Sequence, residues 1–437
     1  MSVSRPAAAA LPSVPRLEVA MDKFVIHGGA PLEGTVEVSG AKNAVLPMMA
    51  ATLLTSGQSV LRNVPVLRDV STMSWVLAAL GAEVHQDGSV LHLDASECTS
   101  ADAPYELVKT MRASVYVLGP LLARFGHARV SLPGGCAWGP RPVNLHLAGL
   151  EALGARVTIE HGYIVTVAER LRGATFRLDI ASVGATANLM MAACLAEGTT
   201  VLENAAREPE IPALADFLNA LGGRVEGGGT STVTIHGVTS LHPATHTVIP
   251  DRIEAGTFII AGAMAGGELT VARMVPEHVR ALLDHLAAMG VAVEVGSDWV
   301  RVRGVPRPGA KDVSTDFYPG FPTDLQAQIM AMATRARGTT VINEGIYRDR
   351  FTHVPELGRL GAKIEVVEAT ARVEGVERLS GAQVMASDLR ASAALILAGL
   401  VAEGETVVSR VYHIDRGYES IEKKLNAVGA RVARVRG

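Results

Sequence analysis

The chain has 437 residues, 48% of them apolar and 19% charged, with a formal charge of −4 at neutral pH. That balance excludes an intrinsically disordered chain and argues against a dedicated nucleic-acid binder, whose surface would be net basic. Aromatic residues make up only 4%, so the core must be assembled from alanine, valine, leucine and isoleucine, and the length suffices for two or three domains.

Residues 1–20, "MSVSRPAAAALPSVPRLEVA", hold an unbroken apolar run only from Ala7 to Leu11, and Pro12 and Pro15 break the pattern immediately after it. The run is shorter than a secretory core, so a flexible extension is expected, with Met21 opening the folded part. No stretch approaches the length needed to cross a bilayer, and the expected location is the cytoplasm, without a membrane partner. The three cysteines, Cys98, Cys136 and Cys194, are odd in number and show no C-x-x-C spacing. Neither a disulfide framework nor a zinc site is favoured.

From there a repeated phrase organises the chain. Leu80-Gly81-Ala82, Leu153-Gly154-Ala155, Leu221-Gly222-Gly223, Met289-Gly290-Val291, Leu360-Gly361-Ala362 and Val428-Gly429-Ala430 each close a helical pattern, with glycines 73, 68, 68, 71 and 68 residues apart. A glycine at that point caps the helix before a β-rich segment, such as 155–167 or 291–302. Six matches at a near-constant period indicate internal repeats. The helix before each glycine is amphipathic: Ile421, Leu425 and Val428 alternate with Lys423, Lys424 and Asn426. An earlier helix in each unit is apolar nearly all round, as in 189–198, 256–267 and 391–404, and must be enclosed. Each unit therefore reads as strand, buried helix, strand, half-buried helix and two closing strands, βαβαββ, with sheets outside and helices inside.

Polar residues recur where the buried helices begin: "SGAKNA" (39–44), "KTMRAS" (109–114), "SVGATAN" (182–188), "PDRIEAG" (250–256), "FPTDLQ" (321–326) and "SDLRAS" (387–392). The markers Lys42, Arg112, Ser182, Arg252, Asp324 and Arg390 lie 70, 70, 70, 72 and 66 residues apart. Ordinary capping accounts for Ser182 and Asp388. It does not account for Lys42, Arg112 and Arg390, because a cation at a helix start opposes the dipole unless an anion sits there too. In the last units Arg350 and Arg416 stand beside Asp349 and Asp415, which could satisfy them as surface pairs. The alternative is that both arginines face the same cleft.

One loop stands apart. "LPGGCAWGPRP" (132–142) is too rich in proline and glycine for a helix or central strand. A thiol in such a loop invites a chemical role, whereas Cys194, in "MMAACLAEG", reads as a small core residue and Cys98 as incidental.

These blocks, together with "YELVKTMRAS", "RPVNLHLAGLEALGA", "ENAAREPEI", "FPTDLQAQ" and "YHIDRGYE", resemble the UDP-N-acetylglucosamine 1-carboxyvinyltransferase family, a branch of the enolpyruvyl transferases. The resemblance covers about residues 21–437. It implies a two-domain inside-out α/β barrel of six βαβαββ repeats, three per domain. Residues 42–249 would form a first lobe carrying the cysteine loop and 21–41 plus 250–437 a second, with the active site in the cleft between them. It further implies transfer of an enolpyruvyl group from phosphoenolpyruvate to the 3′-hydroxyl of UDP-N-acetylglucosamine, with release of phosphate and no cofactor.

Residue by residue, Cys136 matches the family's loop cysteine, a general acid or a nucleophile. The two roles need opposite protonation states, and Arg141 and a bound phosphate would pull in opposite directions. Asp324 matches the carboxylate that takes the sugar proton, and could also cap the helix that begins beside it. Lys42, Arg112, Arg141, Arg350, Arg390 and Arg416 match the cationic set around the two anionic substrates. Asp388 matches a further carboxylate. Asn43, Arg141, Pro142, Val143, Asn144, Leu145, Ser182, Val183, Gly184 and Ile346 match nucleotide-sugar contacts. The chain departs from the pattern at Asn144, usually aspartate, at Ile180, often basic, and at Trp138 and Pro140, which make the cysteine loop bulkier and stiffer. Two rivals remain: the related 3-phosphoshikimate carboxyvinyltransferases, which lack the cysteine loop, and a non-catalytic nucleotide-sugar-binding paralogue.

Overall fold

The computed structural model describes residues 22–109, 111–132 and 143–436; of Arg112 only the backbone is described. The extension 1–20 and Trp138, Pro140, Cys136, Arg141 and Pro142 lie outside the described residues.

Six separate four-stranded sheets form among the described residues, and each repeats one pattern. In the second unit the hairpin Arg156–Glu160/Tyr163–Val167 pairs antiparallel with His127–Ser131, which pairs parallel with Asp102–Ala103. The six glycines expected to end the amphipathic helices all have positive φ, from 86° at Gly290 to 104° at Gly429. A side chain there would strain the backbone, so a residue without Cβ is required.

The apolar helices are enclosed as their composition demands. Every residue of Arg252–Ala265 from Ile253 to Met264 is buried, as are Arg390 to Leu400 of Leu389–Val401 and Ala185 to Ala193 of Val183–Ala193. Their small residues permit close approach: a Cβ on Gly119 would sit 2.3 Å from the Asn188 side-chain oxygen. Cys194 is fully buried with its Sγ donating to the Met190 carbonyl at 3.3 Å, and burial pushes its thiol up to about 12. Cys98 is also buried, and burial raises its pKa. Neither described cysteine is suited to act as a thiolate.

The described residues form two hydrophobic cores. One spans Ala41 to Val248; the other combines Phe24 to Val38 with Ile253 to Val432. Strand exchange explains the split. Lys23–His27 completes the last unit by pairing with Glu405–Ser409 and Val432–Val435. Gly34–Glu37 joins the fourth unit beside Leu269–Ala272, whereas Thr245–Thr247 joins the first beside Val60–Arg62. The chain thus passes between the cores twice, and the two passages touch. Gly40 bridges Pro250, Ala41 N–H donates to the Ile249 carbonyl at 2.8 Å, and Asp251 N–H to the Ser39 carbonyl at 2.9 Å. Gly40 is obligatory there, since a Cβ would lie 1.7 Å from the Asn63 carbonyl oxygen. No helix among the described residues is long and apolar enough to cross a membrane.

Candidate functional site

Buried helices begin where the two cores meet, and charged residues at and beside those starts form an ion-pair chain of two triads, Lys42–Asp69–Arg416 and Arg390–Asp324–Arg350. Lys42 opens the helix Lys42–Ala51 and its Nζ lies 3.1 Å from Asp69 Oδ2. The other Asp69 oxygen accepts from Arg416 Nε at 2.9 Å, although the two residues are 347 positions apart and belong to different cores. On the far side, Asp324 lies between two arginines. Arg390 Nη2 reaches Oδ2 at 2.6 Å and Arg350 Nη2 reaches Oδ1 at 2.8 Å. The Arg390 charge is close enough to Lys42 to act on its ammonium, which links the two halves.

The electrostatics are set by burial opposed by pairing. Burial pushes the Asp69 carboxyl up, but Lys42 and Arg416 outweigh it and hold the group below the usual carboxylate range. Burial likewise opposes ionisation of Asp324, yet Arg390 and Arg350 hold its carboxyl well below that range. Burial, reinforced by Arg390 and Arg416, draws the Lys42 ammonium below its ordinary value despite Asp69. Each carboxylate lies between two cations, and both are ionised near neutral pH.

Loop geometry explains why Arg350 points inward. Glu344, 1% exposed, accepts from the Ile346 and Tyr347 N–H groups at 2.9 Å and from the hydroxyls of Thr315 and Thr323 at 2.8 and 2.9 Å. The Thr323 hydroxyl in turn accepts from Arg350 Nη1 at 2.8 Å. One buried acid thus shapes the loop that carries Ile346 and Arg350. Asp388 caps Leu389–Val401, accepting from the Arg390 and Ala391 N–H groups at 2.8 and 3.0 Å, and its second oxygen accepts from Thr352 at 2.8 Å.

Apart from Arg112, which opens the turn Arg112–Val117 with only its backbone described, and Ile346 in the Glu344 loop, the expected residues divide into three groups. Lys42, Asp324, Arg350, Arg390 and Arg416 are brought together, with Asn43 beside Lys42 and Asp388 beside Arg390. Val143, Asn144 and Leu145 start the helix Asn144–Ala152, and Ser182 caps Val183–Ala193 by accepting from Ala185 N–H at 3.3 Å. These two starts are joined through Asn188 and His146, and Gly184 faces the His146 ring. Among the described residues no hydrogen bond ties them to the ion-pair chain. Cys136, Arg141 and Pro142 lie outside the described residues.

Two alternatives that the sequence left open are decided here. Asp324 does not cap the helix Gln326–Ala333, whose cap position is Leu325 without a side-chain bond, because both Asp324 oxygens are held by arginines. Arg350 and Arg416 pair with Asp324 and Asp69, not with their sequence neighbours. Asp415 pairs with Arg434 instead. Sequence reasoning also missed Asp69, Glu344 and Tyr418. Asp69 looks like an ordinary first-turn acid of Arg68–Ala79, and only its burial, 4% exposed, separates it from one. A second ion pair crosses between the cores, Arg252 Nε to Glu210 Oε1 at 3.0 Å.

Comparison with known proteins gives the family. The family model described as EPSP synthase (3-phosphoshikimate 1-carboxyvinyltransferase) matches residues 26–425. A protein of Geobacter metallireducens named UDP-N-acetylglucosamine 1-carboxyvinyltransferase is 56% identical over 95% of this chain and all of its own length. The chain belongs to the UDP-N-acetylglucosamine 1-carboxyvinyltransferase family. A second member, from Desulfatibacillum aliphaticivorans, is 55% identical over the same share. The enolpyruvyl transferase NikO from Streptomyces tendae superposes with a TM-score of 0.87 at 29% identity, covering 96% of this chain and all of that one. The chain is thus an enolpyruvyl transferase with the fold expected of one, sheets surrounding helices in two bodies.

Proposed function

We propose that this enzyme transfers the enolpyruvyl group of phosphoenolpyruvate to the 3′-hydroxyl of UDP-N-acetylglucosamine and releases phosphate, the first committed step towards peptidoglycan. The observation that carries this reading is identity of 54–56% to curated members of that name over 95% of the chain. The ion-pair chain supports it, because two anionic reactants need closely spaced cations drawn from both sides of a cleft.

In the proposed mechanism Asp324 accepts the proton of the 3′-hydroxyl as its oxygen bonds to C2 of phosphoenolpyruvate, while a proton is delivered to C3. The Cys136 thiol is the proposed donor of that proton. The tetrahedral adduct then loses a proton from C3, the C2–O bond to phosphate breaks, and the double bond re-forms. Lys42, Arg112, Arg141, Arg350, Arg390 and Arg416 bind the anionic groups, with arginine suited to carboxylate and phosphate because its fork grips two oxygens. Asn43, Pro142, Val143, Asn144, Leu145, Ser182, Val183, Gly184, Ile346 and Asp388 complete the proposed substrate contacts. The lobes are drawn as 42–249 and 21–41 plus 250–437, a division supported by the two cores. The proposed compartment is the cytoplasm.

Phosphate release measured with phosphoenolpyruvate and each acceptor in turn tests the assignment. Release with UDP-N-acetylglucosamine alone is expected, and release only with shikimate 3-phosphate would overturn it. Binding of the nucleotide sugar without any turnover would favour a non-catalytic paralogue. Cys136→Ala should retain nucleotide-sugar binding while turnover collapses.

A further inference from the structure

At the heart of the second core, polar groups from three of its units meet at one phenol. Tyr418 is 1% exposed, and its hydroxyl lies 2.8 Å from Thr257 Oγ1, 3.2 Å from Gln328 Nε2 and 3.3 Å from Arg390 Nη1. Thr257 belongs to the helix Arg252–Ala265, Gln328 to Gln326–Ala333 and Arg390 to Leu389–Val401.

The protons in this hub can be assigned from valence alone. The Thr257 hydroxyl donates to the Ile253 carbonyl at 2.8 Å, which can only accept, so its single proton is spent. Tyr418 must therefore be the donor in its contact with Thr257. Gln328 Nε2 faces the Asp324 carbonyl oxygen at 3.0 Å, which fixes the amide orientation and sends its second proton towards Tyr418 and Thr257. With its own proton committed, the Tyr418 oxygen turns lone pairs to Arg390 Nη1. The guanidinium is thus held at one end by a neutral acceptor while Nη2 grips Asp324 at 2.6 Å. The Tyr418 ring also lies 5.8 Å from the guanidinium carbon.

We propose that Tyr418 is a positioning residue for the transfer reaction, fixing the Arg390 guanidinium so that it holds and aims the Asp324 carboxylate. The proposal rests on the reading of Asp324 as the group that takes the sugar proton. A buried guanidinium nitrogen deprived of its acceptor is left unsatisfied, a cost that a turn of the planar fork towards other polar groups relieves. Without the phenol oxygen, Arg390 turns and Asp324 keeps one firm cation, Arg350, in place of two. The other charged and titratable groups facing this pair are Arg252 and Lys42 at neighbouring helix starts, Asp251, which acts on Arg390, and Asp388 and the neutral His353, on which Arg350 acts. None of these supplies the lost acceptor.

The test compares Tyr418→Phe, Thr257→Val and Asp324→Asn in the full chain, with kcat, KM for each substrate, the pH dependence of kcat and thermal melting recorded for each. Tyr418→Phe should lower kcat by about ten- to a hundred-fold, the worth of a hydrogen bond to a charged group, with KM for the nucleotide sugar within about two-fold. Its acid limb should move to higher pH by up to about one unit, because a carboxylate that loses cationic support is protonated sooner. Thr257→Val frees the phenol proton to rotate towards Arg390 and should shift the limb in the same direction by less. An unmoved limb with normal kcat in both variants overturns the proposal, as does a melting loss with KM raised throughout and the limb unmoved. Parental turnover in Asp324→Asn would instead remove the base reading on which the proposal rests. Collapse of Asp324→Asn beside an unaffected Tyr418→Phe would sink the positioning role alone.

Discussion

The two lobes solve one packing problem with different polar chemistry. Each packs buried helices inside three four-stranded sheets, and in each a polar side chain joins the helices where they converge. In the first core that side chain is Asn188. Its oxygen accepts from Gly119 N–H at 2.7 Å and its nitrogen donates to the Val115 carbonyl at 2.8 Å and to His146 Nδ1 at 3.1 Å. The hub is neutral, and burial holds His146 uncharged by drawing its pKa to about 4. In the second core the corresponding network is Tyr418, Thr257 and Gln328, and it ends on the ion pair Arg390–Asp324. Neutral amides suffice to hold a shape. A charge poised at a cleft needs a buried scaffold that fixes its direction, and of the two hubs among the described residues the one in the second core supplies it.

The opposite ends of the helices repeat the contrast in reverse. Arg124 donates to the carbonyls of Leu53 and Thr55 at the end of the first buried helix, at 2.9 and 2.8 Å, and to that of Ala95 after a strand at 3.0 Å, so one cation satisfies three acceptors. In the second core Arg335 reaches Val401 at 3.2 Å, its Nε is buried without a hydrogen-bond partner, and burial, aided by Arg307, lowers its pKa. The first lobe is thus tied more firmly at that end.

The largest expected break in this comparison is chemical. Asp324→Asn, in the charged hub, should reduce kcat by roughly 10²- to 10⁴-fold in a phosphate-release assay, the usual worth of a general base. Asn188→Ala, in the neutral hub, should leave that chemistry in place but cost about 2–3 kcal/mol of stability, seen as a lower denaturation midpoint. Similar loss of turnover in both would show that the hubs do not divide the work.

Acid should separate the lobes next. Burial draws His146 in the first core, and His285, His353 and His413 in the second, to about 4. Such histidines stay neutral when folded but bind protons when unfolded, so their contribution is intact above pH ~6.5 and lost as pH falls towards about 4. Asp69 and Asp324 act lower still: their pairing is lost only as pH drops through depressed carboxylate values. Hydrogen exchange followed from pH 7 to 4.5 should therefore show peptides of the second core losing protection first. Equal loss in both would contradict the histidine assignment.

The smallest effect concerns the helix ends. Arg124→Met removes three bonds and should destabilise by about 2–3 kcal/mol, whereas Arg335→Met should cost less than about 1 kcal/mol because one bond is lost and a crowded charge relieved. Chemical denaturation of both variants decides it.

Much of the fold was legible in one dimension, since each repeat declares itself locally. The glycine after each amphipathic helix marks a left-handed turn, and the all-apolar helices demand enclosure wherever they lie. Ser182 and Asp388 could be recognised as caps because capping is a contact within three residues. The partners of the site cations could not. Arg350 and Arg416 each have an aspartate beside them in sequence, yet both reach past it to an acid on another element. Tyr418 reads as one more core aromatic until its three partners from separate helices are seen.

By itself the sequence determined the periodic elements, the enclosure of the alanine-rich helices and the alignment of cations with helix starts, because these arise from backbone sterics and burial over a few residues. Only the tertiary structure decided which carboxylate meets which cation and where the strands cross. Those outcomes depend on Coulomb attraction and hydrogen bonding between groups up to 412 residues apart, whose separation in space no local pattern encodes.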